Sequence, residues 1–226
     1  MALHHNPRIV TDGLYAVYDA ADTNSYKSGS TTWYDLVGGN NATLNNGAVH
    51  TDNNNGTFLF DGTDDNASAS NINLGQNGAI SIWFKFNALP TAAGGGLLLG
   101  AYTQYILYSN NNTALDQLYH FIYYDNTSES ISHLPAGHIS SIQVGKWYNS
   151  VVTFNSAGGF QAYVDGEQTV NTTASNFSSW RNDFSGISIS GYRSETETGL
   201  VRFYNRALTA QEVLQNYNAT KTRFGL

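Results

Sequence analysis

Residues 79–86 read Ala79-Ile-Ser-Ile-Trp-Phe-Lys-Phe86. Ile80, Ile82, Phe84 and Phe86 fall on one parity, and Ser81, Trp83 and Lys85 on the other, which is the period-2 alternation of a strand with one face turned to a core. Outward from it, shorter apolar runs recur at Leu14 to Tyr18, Thr57 to Phe60, Gln104 to Tyr108, Leu118 to Tyr124, Ile139 to Val144, Tyr148 to Phe154, Ile187 to Ser190 and Leu200 to Tyr204. Clusters of Gly, Asn, Asp and Ser separate them, the spacing of an antiparallel sandwich or barrel with nine or more strands. The run Phe160-Gln-Ala-Tyr-Val164, then Asp165-Gly166, then Glu167-Gln-Thr-Val170 reads as a hairpin, because Asp-Gly supplies the positive φ values of a type I′ turn.

Composition agrees. The 226 residues include 26 Asn, 22 Gly and 15 Tyr but only 3 Pro and 1 Met, which favours turn-rich β-structure in one domain with few helices. One helix is expected near the end. Thr209-Ala-Gln-Glu212 has capping-box spacing, Leu208 is placed to staple against Val213, and Val213, Leu214 and Tyr217 form an apolar stripe two to three turns long. The Asn-rich patches 40–46, 53–55 and 110–112 read as loops, not as domain boundaries.

Several function classes fall away. There is no Cys, so disulfides, thiolate metal sites and cysteine nucleophiles are excluded. Ten basic against 17 acidic residues give a net charge of −7, which repels a phosphate backbone, so no nucleic-acid partner is expected. The opening Met1-Ala-Leu-His-His-Asn-Pro-Arg8 lacks the apolar run of a signal peptide, and no stretch approaches the length of a membrane span. Residues 1–12 read as an N-terminal arm leading into a domain at 13–226.

Beyond these patterns the chain resembles the laminin-G-like, concanavalin A-like jelly rolls, of the kind found in phage and other virion structural proteins. The markers are Ile9-Val-Thr-Asp-Gly-Leu14, Thr31-Thr-Trp-Tyr-Asp-Leu36 running into Asn41-Ala-Thr-Leu44, Phe60-Asp-Gly-Thr-Asp-Asp65, Trp147 and Tyr163-Val-Asp-Gly166. To these is added the C-terminal run Phe203-Tyr-Asn-Arg-Ala-Leu-Thr-Ala-Gln-Glu-Val213 with its continuation to Leu226. The resemblance implies an all-β fold: a two-sheet antiparallel jelly-roll sandwich with first and last segments as neighbours and one short C-terminal helix against the rim. One departure is Glu195-Thr-Glu197, where such domains place a glycine and an apolar residue before the final strand.

The resemblance further implies a non-enzymatic virion protein on the particle surface, made in the host cytoplasm, with other capsid or tail proteins as partners and with copies associating as a homo-oligomer. The arm, with His4 and His5, and the tail Lys221-Thr-Arg-Phe-Gly-Leu226 are candidates for assembly. Phe224 and Leu226 have no periodic apolar partner, so they are expected to dock either on the sandwich or on another protein. The competing class is a carbohydrate-binding adhesin for host surface glycans. Trp33, Trp83 and Trp147 fall at or beside core positions of the resembled family, which leaves Trp180, in the polar Asn176-Phe-Ser-Ser-Trp-Arg-Asn182, as the candidate platform, joined by Tyr102, Tyr105 and Tyr192.

Catalysis finds little support. The Glu-x-Asp-x-Glu strand of glycoside hydrolases on this architecture is absent, and the nearest pattern, Glu195-x-Glu197, reads as a solvated loop or edge where charge blocks sheet-to-sheet pairing. Asp61, Asp64 and Asp65 are hard oxygen ligands for calcium, the one cofactor considered, although Asx turns also explain such clusters. His133 and His138 are not spaced as a helical zinc pair, and His120 reads as a sheet residue. Gly94-Gly-Gly96 lacks the lysine of a phosphate loop.

Overall fold

The structure is a computed structural model describing residues 7–75, 77–89, 97–101, 104–108, 118–119, 138–139, 142–157, 159–173, 186–189 and 194–226. In chain order the strands are β1 (Leu14–Asp19), β2 (Thr32–Trp33), β3 (Ala42–Asn45), β4 (Val49–Thr51), β5 (Thr57–Phe60), β6 (Asn66–Ala69), β7 (Gly78–Phe86) and β8 (Leu97–Ala101). They continue as β9 (Gln104–Tyr108), β10 (Leu118–Tyr119), β11 (His138–Ile139), β12 (Trp147–Phe154), β13 (Gly159–Val164), β14 (Glu167–Thr173), β15 (Ile187–Ile189) and β16 (Thr196–Tyr204), followed by helix α1 (Ala210–Thr220).

Among the described residues, two eight-stranded sheets result. The first runs β14-β13-β12-β7-β16-β5-β4, with β1 also on β16, and the second runs β11-β10-β9-β8-β15-β6-β3-β2. The described pairings are antiparallel, so this is the two-sheet sandwich that the alternation at 79–86 requires. β7 sits between β12 and β16, and Ile80 faces Val152 on one side and Phe203 on the other. That row belongs to the core between the sheets, where Ile80, Ile82, Phe84, Phe86, Val152, Phe160, Val201 and Phe203 meet Trp33, Ala67, Ile187 and Ile189 from the second sheet.

The opposite face of the first sheet is buried too, which an isolated sandwich sheet would not need. Here α1 and the tail form a third layer, lying on the sheet and not against its rim. Trp83 stacks on Tyr217 at 5.7 Å and on Phe224 at 4.3 Å, and the Trp83 Nε1–H donates to Thr220 Oγ1 at 3.1 Å. The capping box of Thr209 and Glu212 is formed, and Leu208 and Val213 are both buried beside Val151, Tyr163 and Tyr204. Leu214 departs from the expected stripe and is 45% exposed, because the stripe that docks is Val213, Asn216 and Tyr217 with Thr220.

After α1 the chain turns through a 3-10 segment, Lys221–Phe224, and Arg223 ties β1 to the β4–β5 connection. Its guanidinium donates to Asp19 Oδ1 at 2.6 Å, to the Asn54 carbonyl at 2.9 Å and to the Gly56 carbonyl at 2.7 Å. The bulge in β16 at Gly199 makes room for the tail: a Cβ there would lie 2.7 Å from the Phe224 ring. The segment before β1 is tied to the same layer, since the Val10 amide donates to Asn216 Oδ1 at 2.8 Å and the Tyr204 hydroxyl donates to the Val10 carbonyl at 3.0 Å. Asp165 and Gly166 have φ of 50° and 81°, the left-handed pair that the β13–β14 turn needs.

Candidate functional site

Glu197 overturns the expectation of a solvated edge. It lies in β16, paired with Lys85 of β7 and Leu59 of β5, and it is 4% exposed. Lys85 Nζ stands 2.9 Å from Glu197 Oε1 and 5.4 Å from the Trp147 ring centroid. Asn87 Nδ2 donates to both Glu195 Oε1 and Glu197 Oε1 at 3.1 Å, and the Thr57 hydroxyl donates to Glu197 Oε2 at 3.0 Å. Burial would push the Glu197 carboxyl up, but the bonds from Lys85, Asn87 and Thr57 together hold it below the usual carboxylate range. A general acid for glycoside cleavage needs the reverse, a carboxyl kept protonated near neutrality. This carboxylate is ionised and its lone pairs are engaged by the fold.

Asp61, Asp64 and Asp65 come together in the β5–β6 turn, with one ligand oxygen from each within 4.8 Å of the others. Asp65 is buried and accepts the Asp61 amide at 3.0 Å, while Asp61 accepts the Thr63 amide at 2.7 Å. Gly62, with φ of 83°, lets the turn press on Ser194, whose backbone atoms would lie 2.6–2.7 Å from a Cβ there. Burial raises the Asp65 carboxyl, reinforced by the Asp61 and Asp64 charges and opposed by the Asp61 amide. Hard oxygens at this separation fit a cation such as calcium, and the amide bonds shape the turn without one.

A cleft of about 420 Å³ opens on the outer face of the first sheet, beside the start of α1. The β12–β13–β14 side contributes Thr153, Asn155, Gln161, Tyr163, Gln168 and Asn171, and the helix side contributes Ala207 to Ala210. Pleat alternation explains the polar wall: Phe154, Phe160 and Ala162 point into the core, so Thr153, Gln161 and Tyr163 project the other way. Asn155 Oδ1 accepts the amides of Ala157 at 3.0 Å and Gly159 at 3.2 Å. The Tyr163 hydroxyl donates to Gln161 Oε1 at 3.2 Å. Burial raises the Tyr163 hydroxyl above its ordinary value, so it stays a protonated donor.

Of the residues singled out from sequence, Trp180, Tyr102, Tyr192, His4 and His5 lie outside the described residues, as do His120 and His133. Tyr105 pairs its backbone with Gly100 across β8 and β9, and its side chain lies outside the described set. Phe224 docks on its own sandwich and is 3% exposed, whereas Leu226 is 39% exposed. Trp33, Trp83 and Trp147 are all buried. Sequence reasoning missed the cleft, although its signal was present in the polar parity of Thr153, Gln161 and Tyr163 opposite an apolar parity. Among the described residues, no helix is long and apolar enough to cross a membrane.

Comparison with solved structures gives the same architecture. Trypanosoma rangeli sialidase in complex with a difluoro-KDN compound is similar at TM-score 0.68 and 20% identity, over 95% of this chain and 34% of that one. The receptor binding domain of botulinum neurotoxin type G is similar at TM-score 0.63 and 16% identity, over 92% of this chain and 51% of that one. The binding domain of botulinum neurotoxin DC, in complex with rat synaptotagmin II, is similar at TM-score 0.67 and 10% identity, over 92% of this chain and 51% of that one. The chain thus spans about a third of the sialidase and half of each toxin domain, and at these identities the likeness is one of fold. No curated protein matches the chain. The family description "Concanavalin A-like lectin/glucanases superfamily", in its laminin-G type, fits residues 61–214, more than half the chain. With the two-sheet sandwich already established, the chain belongs to the concanavalin A-like lectin/glucanase superfamily.

Proposed function

We propose that this domain is a non-enzymatic carbohydrate-binding module displayed on a virion, on capsid or tail, where it decorates the particle and attaches it to host surface glycans. The observation that carries the binding half is the cleft beside α1, whose wall is built from amide and hydroxyl side chains on a rigid sheet. Sites on sheets and helices hold their geometry better than sites on loops, which suits recognition. The likeness to toxin receptor-binding domains supports the same reading. The non-enzymatic half rests on Glu197, an ionised carboxylate engaged by Lys85, Asn87 and Thr57. The virion setting rests on the resemblance of Phe203 to Leu226 to virion protein ends. Within that run, the buried Phe224 serves the domain itself and leaves Leu214 and Leu226 as the exposed large apolar residues.

Calcium, if taken up, would be held by Asp61, Asp64 and Asp65 and would stiffen the β5–β6 turn. The test of function is a glycan array probed with the intact chain, run beside an assay for released reducing sugar. Binding without turnover is expected, and sustained hydrolysis would overturn the proposal. Electron microscopy of intact particles tests the setting, because density for this sandwich absent from both capsid and tail would remove the virion half.

A further inference from the structure

The cleft beside α1 also says which sugars it would take. Resting on the carbohydrate-binding reading above, we infer that it selects neutral pyranosides rich in acceptor oxygens, N-acetylhexosamines included, and rejects acidic sugars. The side-chain hydrogen bonds fix the sense of each wall group. Asn155 Oδ1 is occupied by the Ala157 and Gly159 amides, which leaves the Asn155 –NH2 as the outward donor. Gln161 Oε1 is occupied by the Tyr163 hydroxyl, which leaves the Gln161 –NH2 as a second donor. Gln168 Nε2 reaches toward the Tyr163 oxygen at 3.5 Å, and this sets the Gln168 carbonyl free as an acceptor. Asn171 adds an exposed amide at the mouth.

The facing wall is different in kind. Ala207 and Ala210 present methyl groups, while Leu208 is buried beneath them and the Thr209 side chain is turned into its capping box. A pyranose ring has the matching two-sidedness, with C–H groups for the aliphatic wall and hydroxyl or acetamido oxygens for the amide wall. At about 420 Å³ the cleft is within the usual size range of small-ligand sites.

Charge supplies the selectivity. Among the described residues, those lining the cleft include no Lys, Arg, Asp or Glu. Next to it, the α1 N-terminus is already answered by Glu212, whose carboxylate binds Thr209 and Arg206. A sialic or uronic acid would bring a carboxylate into a partly enclosed site with no cation among its described lining residues to meet it, in a chain of net charge −7.

The experiment uses the intact chain on an array carrying neutral, sialylated and sulfated glycans, with Gln161→Ala and Asn171→Ala variants whose folding is checked by circular dichroism and melting temperature. The expected result is retention of neutral glycans at both low and high salt, weakened roughly tenfold or more in each folded variant. Neutral glycans bound equally well by both variants would overturn the assignment to this cleft while leaving carbohydrate binding intact. Binding confined to acidic glycans and lost in Gln161→Ala would keep the cleft and overturn its selectivity. Failure to bind any glycan would remove the carbohydrate reading and this inference together.

Discussion

The Phe224 ring lies flat on the Trp83 indole, 4.3 Å between centroids and 11° between planes, with the Trp147 ring tilted against it at 4.7 Å. A residue of the short segment that follows α1 is thus part of a core cluster with Val17 and Leu200.

Phe224→Ala should therefore destabilise the whole domain, by about 3–5 kcal/mol as for other large-to-small core changes. Urea denaturation followed by tryptophan fluorescence measures it, and deletion of 222–226 should cost at least as much because Arg223 leaves as well. An unchanged midpoint would mean that the tail is not part of the cooperative unit.

Glu212 provides a pH signature. Its bonds to Arg206, at 2.6 and 3.0 Å, with help from the Thr209 amide, lower its carboxyl from 4.5 to about 2. A carboxyl with a depressed folded value contributes stability above its unfolded value and loses it as pH falls toward the folded one. Stability should thus decline between about pH 4.5 and about pH 2 in the wild type, and Glu212→Gln should flatten that limb. Parallel acid-unfolding curves for the two proteins would contradict the pairing.

Breaking the Lys85–Glu197 pair should be costly on one side only. Glu197→Gln leaves a mostly buried ammonium unpaired and should cost about 2–3 kcal/mol, under the full range for buried pairs because Lys85 keeps some water contact. Replacing both, Lys85→Met with Glu197→Leu, should recover most of the loss in a double-mutant cycle. Glycan binding should survive the double change.

Much of this was legible beforehand. The β7 alternation, the Asp165-Gly166 turn and the Thr209–Glu212 cap are local signals, each contained within a few residues, and each appears where the sequence puts it. Glu197 was misread because a charge in a strand looks like edge protection until its partners are known. Those partners, Thr57, Lys85 and Asn87, stand 140, 112 and 110 positions away, so local patterning carried no trace of them. The placement of α1 over a sheet face was hidden for the same reason: Trp83 and Phe224 are joined only by the fold. The cleft combines both situations, with a readable polar parity on β12 and β13 and an unreadable neighbour in Ala207 to Ala210.

Calcium gives the last test. Two of its three candidate carboxylates are exposed, so a weak site is expected, with millimolar calcium raising the melting temperature by a few degrees and Asp64→Asn abolishing the rise. A melting temperature indifferent to both calcium and chelator would show that amide bonds alone shape the turn.

The position of β16 bears on biosynthesis. The last of the described strands to be translated is an inner member of its layer, touching β7, β5 and β1. Until Thr196 to Tyr204 has been translated, β7 lacks a neighbour along one side and its isoleucines and phenylalanines have no complete shelter. Closure of this domain must wait for β16, so products truncated before Thr196 should accumulate as aggregates and not as smaller folded pieces.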